Sequence, residues 1–412
     1  MRYACTLSNS IRQTNLEDWE QVHQAEGDPF MDPCFLDAVE TSMSGEARFW
    51  NVIVYDDLGR PAAIACVSLF RVDVALLAGG WTRKIVRGVR RLLPGFLHFR
   101  LLCLGLPFSA SQSHLRVRED VDVGEVLRVL DGVLVGLARR HRAPLIVLKE
   151  FDPREAQRLE GLDHLGYLRA DSLPTHRLEG SFGSFDEYCA ALRSKYRRNI
   201  GGSRRKFQRS GLEVAHVTGK EGADRRFSDD LHRLYLAVLE HAKVSLERLP
   251  AEFFRAFCRH LGDQAVLTLV GRDDRVVGWC LSLWSPPAFY MLVMGMDYQS
   301  KAIGDLYFNV IFETLDYGMR RGASEVWIGP NSDAFKARLG CRQEARCVYV
   351  KGRGLLGRVL PAVAGRFLPA VSLSPGNRAI RRAPAAALEP VACQRRPDGG
   401  CGEGFSGSEE AP

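Results

Sequence analysis

The chain has 412 residues, of which 46% are hydrophobic and 25% are charged, and its formal net charge is +7. This composition is typical of a globular protein with two or three domains and excludes a wholly disordered or fibrous chain. No apolar run reaches the ~18 residues that a membrane-spanning helix needs, and the N-terminus lacks a signal-peptide pattern, so we expect a cytoplasmic protein.

The first half of the chain carries a series of helix and strand patterns. Strands are indicated by β-branched and aromatic residues, and the long helix by apolar residues at helical spacing. The predicted elements are two short helices, three strands, a long helix and a further strand: Leu16–His23, Cys34–Ser42, Phe49–Tyr55, Ala62–Phe70, Val72–Leu77, Gly124–Arg140 and Pro144–Leu148.

The second half repeats the order of the last five of these elements. Its predicted strand, strand, strand, helix and strand are Ala265–Val270, Val276–Trp284, Phe289–Met294, Asp305–Arg321 and Glu325–Ile328. A duplicated unit is the simplest explanation, and coincidence between two unrelated α/β lobes is the alternative. Duplication predicts an α/β (α+β) fold whose two lobes meet at a pseudo-twofold interface, which is a common place for a cleft.

Three regions follow from this pattern. We predict an N-terminal lobe over residues 1–178, a C-terminal lobe over 179–352 and a tail over 353–412. The tail is rich in Pro, Gly, Ala and Arg with little to bury, so it is expected to be largely disordered. Its apolar piece Leu355–Leu373 allows a weak peripheral membrane contact, although prolines would break a membrane helix there.

Two segments carry basic residues without any acid, namely Trp81–Arg100 and Ala191–Ser210. The second has a helical apolar stripe that would dock it, formed by Leu192, Tyr196, Ile200, Ser203 and Phe207. The cations Lys195 and Arg198 lie off this stripe. The segment therefore predicts a helix that binds an anion or phosphate, with a merely solvated basic face as the alternative.

Two loops of the C-terminal lobe follow predicted strands. Gly295–Gly304 leads from a strand into the helix at Asp305, where Lys301 and Gly304 would suit a phosphate at a helix N-terminus. Lys336 and Arg338 are expected on an exposed short helix or turn just past the strand Glu325–Ile328, where α/β sheets place ligands. Ordinary surface residues are the alternative at each position.

Metal and nucleophile motifs are missing from the sequence. The eleven cysteines include no Cys-x-x-Cys pair, and the ten histidines form no His-x-x-x-His pattern. No Gly-x-Ser-x-Gly or Walker motif occurs either. We therefore expect no metal, and neither a serine hydrolase nor a P-loop ATPase is supported.

Several segments resemble one known family. They are FDEYCAALRSKYRRNIGGSRRKF, VLTLVGRDDRVVGWCLSLW, GMDYQSKAIGDLYFNVIFETLDYGMRRGASEVWIG, DAFKARLG and the opening DPFMDPCFLDAVETS. Together they resemble the FemAB-like and BioF2-like branch of the GNAT acyltransferases. The resemblance implies two tandem GNAT-like lobes, each a mixed, mostly antiparallel sheet flanked by helices, of which the N-terminal lobe is degenerate.

The resemblance also implies roles for single residues. Lys336 matches a family lysine in a Lys-x-x-x-Gly segment near the donor's phosphates, and Arg197 and Arg198 match basic-helix positions. The splayed central strand would be Phe289–Gly295, whose backbone amides stabilise the oxyanion. The remaining predicted donor-binding residues are Lys195, Met294, Gly295, Lys301, Gly304 and Arg338.

Proton transfer needs a base and an acid near that strand. Asp297 is the nearest carboxylate and is the predicted base, directly or through water. A phenol, Tyr298 or Tyr307, would protonate the leaving group. Packing is the alternative role for each of them.

The sequence thus predicts an N-acyltransferase that moves an acyl group from acyl-CoA, as co-substrate, to an amine of a small molecule or cell-envelope precursor. One alternative is a Fem-type enzyme whose donor is aminoacyl-tRNA, in which case tRNA is a partner. The other is a non-catalytic protein that only binds a ligand.

Overall fold

The computed structural model describes residues 3–24, 28–73, 98–108, 112–241, 248–330, 332–354 and 379–380. Its strands are β1 Ala4–Ser8, β2 Ala47–Tyr55, β3 Pro61–Asp73, β4 His98–Leu104, β5 Leu115–Val117, β6 Leu145–Phe151, β7 Leu168–Glu179, β8 Glu213–Thr218, β9 Ala265–Arg272, β10 Arg275–Ser285, β11 Ala288–Met296, β12 Glu325–Ile328 and β13 Arg342–Gly352.

The α-helices flank this sheet, and short 3₁₀ turns such as Ile303–Asp305 connect some of the elements. The helices are α1 Leu16–His23, α2 Pro33–Ser42, α3 Val123–Arg140, α4 Pro153–Arg158, α5 Phe185–Ala191, α6 Ser194–Gln208, α7 Ala223–Arg226, α8 Asp229–His241, α9 Ala251–Leu261, α10 Leu306–Arg320 and α11 Asp333–Arg338.

Local sequence explains where several helices begin. Asn15 accepts hydrogen bonds from the amides of Glu17 and Asp18 at the start of α1. The Asp32 side chain accepts hydrogen bonds from the amides of Cys34 and Phe35 at the start of α2, whose first residue is Pro33. An acceptor side chain satisfies amides that have no partner within the helix, and proline has no amide to satisfy, so these residues fix the helix starts.

The described strands form one sheet whose order is symmetric about its centre. The order is β1-β2-β3-β4-β6-β13-β7-β12-β11-β10-β9-β8, with β5 beside β3. The only parallel pairs among the described strands are β4–β6 and β11–β12, which occupy corresponding positions in the two halves. The repeated order of elements predicted from sequence is therefore present, and the α/β (α+β) fold with mostly antiparallel sheet halves is confirmed.

The two lobes exchange strands at the middle of the sheet. β7 is the last strand of the predicted N-terminal lobe but pairs with β12, whereas β13 ends the C-terminal lobe and pairs with β6. β7 and β13 also pair with each other. The boundary proposed at residue 178 falls within β7, and it stays a prediction.

One predicted strand is wrong. The third strand of the first half is β4, His98–Leu104, and not Val72–Leu77. Val72 instead continues β3, which runs to Asp73, and residues 74–77 lie outside the described chain. β3 continues because its last residues pair with β4, up to Asp73 opposite His98. Most of the basic segment Trp81–Arg100 also lies outside the described residues.

The hydrophobic core has one layer that joins the lobes and one that is specific to each lobe. The joining layer packs α1 and α2 against α8 and α9, and includes the edge-to-face contact of Phe35 with Phe257. The other two layers lie under α3 and under α10. The layer under α10 packs against β9, β10 and β11, and the predicted residues Met294 and Gly295 lie near the end of β11.

The described residues contain neither a membrane-spanning helix nor a cluster of metal ligands. No helix there is long and apolar enough to cross a membrane. No group of three or more His, Cys, Asp or Glu side chains in the same part of the chain is placed to hold a metal ion.

Candidate functional site

The parallel strands β11 and β12 separate at one point of the C-terminal lobe. They pair from Ala288 opposite Glu325 to Met291 opposite Ile328, where β12 ends. β11 continues to Met296, still paired with β10 on its other edge. The register with β10 shifts at this point, because Leu281 lies opposite Val293 and Ser282 opposite Met291. Leu292 is therefore the extra residue of a β-bulge, a feature that bends a strand and ends pairing.

Beyond this fork, the edge of β11 that faced β12 has no strand partner among the described residues. A strand edge of this kind presents backbone amides and carbonyls that can pair with an extended ligand. The predicted donor-binding residues Met294 and Gly295 lie in this unpaired stretch. The fork is therefore the candidate site, and it occurs where the splayed central strand was predicted.

The corresponding strands of the N-terminal lobe do not separate in this way. β4 pairs with β6 up to its last residue, with Leu104 opposite Leu148. Its register with β3 is continuous from Val67 to Asp73. Beyond β4, the Lys149 ammonium donates a 2.7 Å hydrogen bond to the carbonyl of Phe108, so the chain following β4 lies beside β6. The open edge belongs to the C-terminal lobe.

Lys336 lies at the fork but is not exposed, so the expectation of an exposed lysine is wrong. It is only 4% exposed, and its Nζ donates hydrogen bonds to the carbonyls of Gly329 and, at 2.9 Å, Pro330. Gly329 directly follows Ile328, the last residue of β12. Burial lowers the pKa of Lys336 to about 8. A cation that titrates near neutral pH is therefore held where the strands part.

His176 shares this position, and the sequence analysis missed it. It lies opposite Ile328 in the β7–β12 pair, and its Nε2 is 3.3 Å from an oxygen of Asp333. Its Nδ1 is 3.3 Å from the Gly329 carbonyl. Burial, together with the nearby charge of Lys336, lowers the pKa of His176. No local sequence pattern marks it, because only strand pairing brings β7 beside β12.

Tyr298 and Tyr307 lie next to each other between the end of β11 and the start of α10. Burial, and after it the neighbouring Tyr307, raises the pKa of Tyr298. The Tyr298 ring stacks on the His241 ring, with the ring centroids 3.7 Å apart. The Tyr307 hydroxyl donates a 3.2 Å hydrogen bond to Ser332, just before α11. The raised pKa keeps the Tyr298 phenol protonated at neutral pH, as a proton donor requires.

Asp297 is engaged within its own loop. It accepts hydrogen bonds from the Ser300 hydroxyl at 2.8 Å and the Gln299 amide at 2.9 Å, and it pairs with Arg275 at 3.2 Å. Burial would raise the pKa of Asp297, but these hydrogen bonds outweigh it and the pKa is lowered. The carboxylate is therefore a weak base, and its catalytic role stays a prediction.

Two predicted glycines are required by packing. A Cβ on Gly295 would lie 2.2 Å from the indole nitrogen of Trp279. A Cβ on Gly304 would lie 3.1 Å from Cα of Phe207, and Gly304 adopts a φ of 60°. Gly304 is thus buried against α6, and Lys301 is exposed on the same loop. A role of either glycine in donor binding stays a prediction.

The basic segment forms α6, and its predicted apolar stripe is confirmed. Ile200, Ser203 and Phe207 are buried, as is Leu192 before the helix. Lys195 and Arg198 are exposed, whereas Arg197 is half-buried and donates to the Ala190 carbonyl at 3.2 Å. The C-terminal half of α6 contacts the start of α10, where the Asn309 side-chain nitrogen donates a 3.1 Å hydrogen bond to the Ser203 hydroxyl. The cations therefore lie on α6, which packs against the start of α10.

Two residues of the predicted tail pack beside this site. The Arg193 amide donates a 2.9 Å hydrogen bond to the Ala379 carbonyl, and Leu192 forms a β-bridge with Ile380. The Ile380 side chain covers Gly340, the glycine of the Lys-x-x-x-Gly segment. Ala379 is fully buried. The rest of the tail beyond residue 354 lies outside the described chain, and Arg338 is exposed on α11.

Comparison with known sequences finds a family and a relative. The sequence profile of the FemAB-like family, described as peptidoglycan biosynthesis/recognition, matches residues 10–340. A putative 8-amino-7-oxononanoate synthase 2 of Mycobacterium tuberculosis (strain CDC 1551 / Oshkosh) is 28% identical over 310 residues, which are 74% of this chain and 40% of that protein. The chain thus spans less than half of the length of this curated relative.

Comparison with solved structures identifies the fold. The crystal structure of FemX is similar with a TM-score of 0.51 and 13% identity, covering 87% of this chain and 99% of that one. A tandem GNAT protein from the clavulanic acid biosynthesis pathway gives a TM-score of 0.49 and 12% identity, covering 85% of this chain and 99% of that one. The similarity to FemX shows that the two chains share a fold.

Proposed function

The chain belongs to the FemAB-like family, and on this premise we propose that it transfers an acyl group from acyl-CoA to an amine of a cell-envelope precursor or related small molecule. The family membership confirms the predicted transferase. The donor, the acceptor and the residue roles given below are the content of the proposal.

The observation that carries the proposal is the fork after Met291 and Ile328. The pantetheine arm of CoA is an extended chain with two amide groups, so it can pair with an unpaired strand edge as an added strand would. The bulge at Leu292 bends β11 away from β12 and so provides that edge. The N-terminal lobe lacks such an opening among its described residues, which supports a single donor site.

Acyl transfer at the fork forms one bond and breaks one. The neutral amine nitrogen attacks the thioester carbon, the carbon–sulfur bond breaks, and the amine proton is lost while the thiolate gains one. Amides on the open edge of β11 would hold the developing oxyanion. Tyr298 or Tyr307 would protonate the thiolate, because each phenol carries an O–H donor.

A base must also accept the proton that the amine loses. Asp297 is the predicted base, and water held by it is the alternative. The hydrogen bonds from Ser300 and Gln299 weaken this carboxylate as a base. Proton loss through water therefore fits its surroundings better than direct abstraction.

Aminoacyl-tRNA is the second candidate donor. The exposed cations of α6 favour it, because a tRNA presents many phosphates to a basic surface. An aminoacylated tRNA end, however, has no amide-bearing arm to pair with β11. The strand edge therefore favours acyl-CoA, whereas the basic helix suits either donor.

A binding and transfer experiment tests the proposal. Acetyl-CoA and aminoacylated tRNA are each offered to the full chain in equilibrium dialysis, and acyl transfer to a panel of amines is then followed by mass spectrometry. Saturable acetyl-CoA binding with transfer supports the proposal. Binding of aminoacylated tRNA alone would identify aminoacyl-tRNA as the donor in place of acyl-CoA. Binding of acetyl-CoA without transfer to any amine would favour a non-catalytic protein.

A further inference from the structure

Three arginines of the N-terminal lobe lie near one histidine, on elements other than those that form the fork. Arg48 lies on β2, Arg100 on β4 and Arg140 at the end of α3, and all three are exposed. Arg100 donates a 3.0 Å hydrogen bond to the carbonyl of His141. Burial, and after it the charges of Arg48, Arg140 and Arg100, lower the pKa of His141. The three guanidinium groups are therefore close enough to act on one imidazole.

The described residues supply no ion-pair partner to these three arginines. Among the described residues, no carboxylate lies within 4 Å of the Arg48, Arg100 or Arg140 guanidinium. Arg71 on β3 lies directly opposite Arg100 in the ladder, and like charges in such a pair repel each other. The arrangement thus has a free-energy cost that a bound anion would relieve.

A cavity of about 540 Å³ opens beside these arginines. Its wall includes Arg48, Arg140, His141 and Trp50, and the hydroxyl-bearing residues Ser10, Thr41 and Ser44. The His141 ring packs on Trp50 with centroids 5.1 Å apart, which fixes the imidazole. This volume lies in the range of small-molecule sites, and the wall offers both guanidinium and hydroxyl donors.

The two acids in the cavity wall are already engaged. Asp37 forms a two-pronged pair with Arg12, at 2.5 and 2.8 Å, and lies 3.1 Å from Nδ1 of His260. Glu40 accepts hydrogen bonds from the Ile11 amide at 2.8 Å and the Asn51 side chain at 2.6 Å. Asp37 is therefore paired with Arg12 rather than with Arg48 or Arg140, and burial raises the pKa of Glu40, which favours its neutral form.

We propose that this cavity binds a phosphate group, held by the guanidinium groups of Arg48 and Arg140 and attracted also by Arg100. Planar guanidinium groups bind phosphate oxygens in pairs of hydrogen bonds, which suits them to this ligand. The phosphate belongs either to a soluble phosphate or pyrophosphate compound or to a phospholipid headgroup. The site is separate from the fork and does not depend on the proposed transfer reaction.

The test uses the full chain with two exposed arginines replaced, Arg48→Gln with Arg140→Gln. Arg128→Gln is the matched control, because Arg128 is an exposed arginine of the same helix that pairs with Glu125 at 2.8 Å. Inorganic pyrophosphate binding is measured by calorimetry. Sedimentation with vesicles of phosphatidylglycerol, and with vesicles of phosphatidylcholine as a neutral reference, tests the headgroup source.

The expected result is binding to pyrophosphate or to phosphatidylglycerol vesicles that weakens at least tenfold in the double variant and is unchanged in the control. Pyrophosphate binding alone identifies a soluble ligand, and vesicle binding alone a headgroup. No binding to either probe, or equal binding by the double variant, would overturn the proposal.

Discussion

Lys336 and Gly329 are joined by a hydrogen bond from the lysine ammonium to the glycine carbonyl, one residue beyond the last pair of β11 and β12. A second bond to Pro330 holds the same ammonium. The lysine thus ties α11 to the end of β12 and places a positive charge at the fork. Structural and functional roles coincide at this side chain, and variants can separate them.

Replacement of Lys336 by Met should lower kcat/KM for the donor more than tenfold while largely preserving stability. Methionine keeps the buried stem and removes a charge that is costly to bury. Lys336→Ala loses the same donor and also the buried stem, so it should lower the free energy of unfolding by a further ~2–5 kcal/mol through the cavity it leaves. Donor kinetics and chemical denaturation measure the two effects.

Lys220→Met is the matched control, since Lys220 is exposed and pairs with Asp263 away from β11 and β12. It should leave donor kinetics unchanged. Wild-type kinetics in Lys336→Met would remove Lys336 from the site.

The titration of Lys336 should appear in the pH dependence of stability. Its pKa of about 8 lies below the ordinary lysine value of 10.5, so the unfolded chain binds more protons between these pH values. The contribution of this group to stability therefore rises with pH through that window. Wild type should gain stability relative to Lys336→Met between pH 8 and 10, as measured by denaturation at a series of pH values.

The same titration should affect donor use. If the ammonium attracts donor phosphates, kcat/KM for the donor falls as pH rises through about 8 in the wild type. Lys336→Met should lack this decline. Parallel pH profiles in the two proteins would contradict the assignment.

The exposed cations of α6 should make donor affinity depend on salt. Affinity should fall as ionic strength rises, because exposed charges are screened. Lys195→Gln combined with Arg198→Gln should make donor affinity less dependent on salt. It should also weaken donor binding at low salt by ~0.2–1 kcal/mol for each charge removed. Arg233→Gln on α8, an exposed arginine paired with Asp230, serves as the control. A wild-type affinity that is independent of salt would assign α6 a passive surface role.

The contact between Gly340 and Ile380 predicts a coupling between the tail and the site. Gly340 has a φ of 86°, and a Cβ there would lie 2.8 Å from Ile380. Gly340→Ala should therefore destabilise the protein by ~1–3 kcal/mol. Adding Ile380→Ala should relieve the steric part, so the double variant should be more stable than the sum of the single effects predicts.

Thermal and chemical unfolding of the two single variants and the double variant measure this coupling. Strictly additive effects would show that Ile380 does not press on Gly340 in solution. In that case the tail would have no part in holding the segment that contains Lys336.

Much of the fold follows from local patterns. Strands such as Phe49–Tyr55 and helices such as Gly124–Arg140 were predictable because apolar periodicity records which face is buried. The repeat of these elements predicted two lobes of the same topology. The strand at His98–Leu104 was not predicted, because its partner β3 continued past the expected turn and the long insertion gave no clear boundary.

The sequence by itself determined the order of elements, the apolar stripe of α6 and the family resemblance, because each depends on neighbours along the chain. Only the tertiary structure decided that β7 and β13 exchange between lobes, that β11 leaves β12 after Met291, and that Lys336 is buried beside His176. The strand exchange and the proximity of His176 to Lys336 join segments that lie far apart in the sequence. No local spacing encodes such contacts, since the free energy that fixes them comes from packing across the sheet.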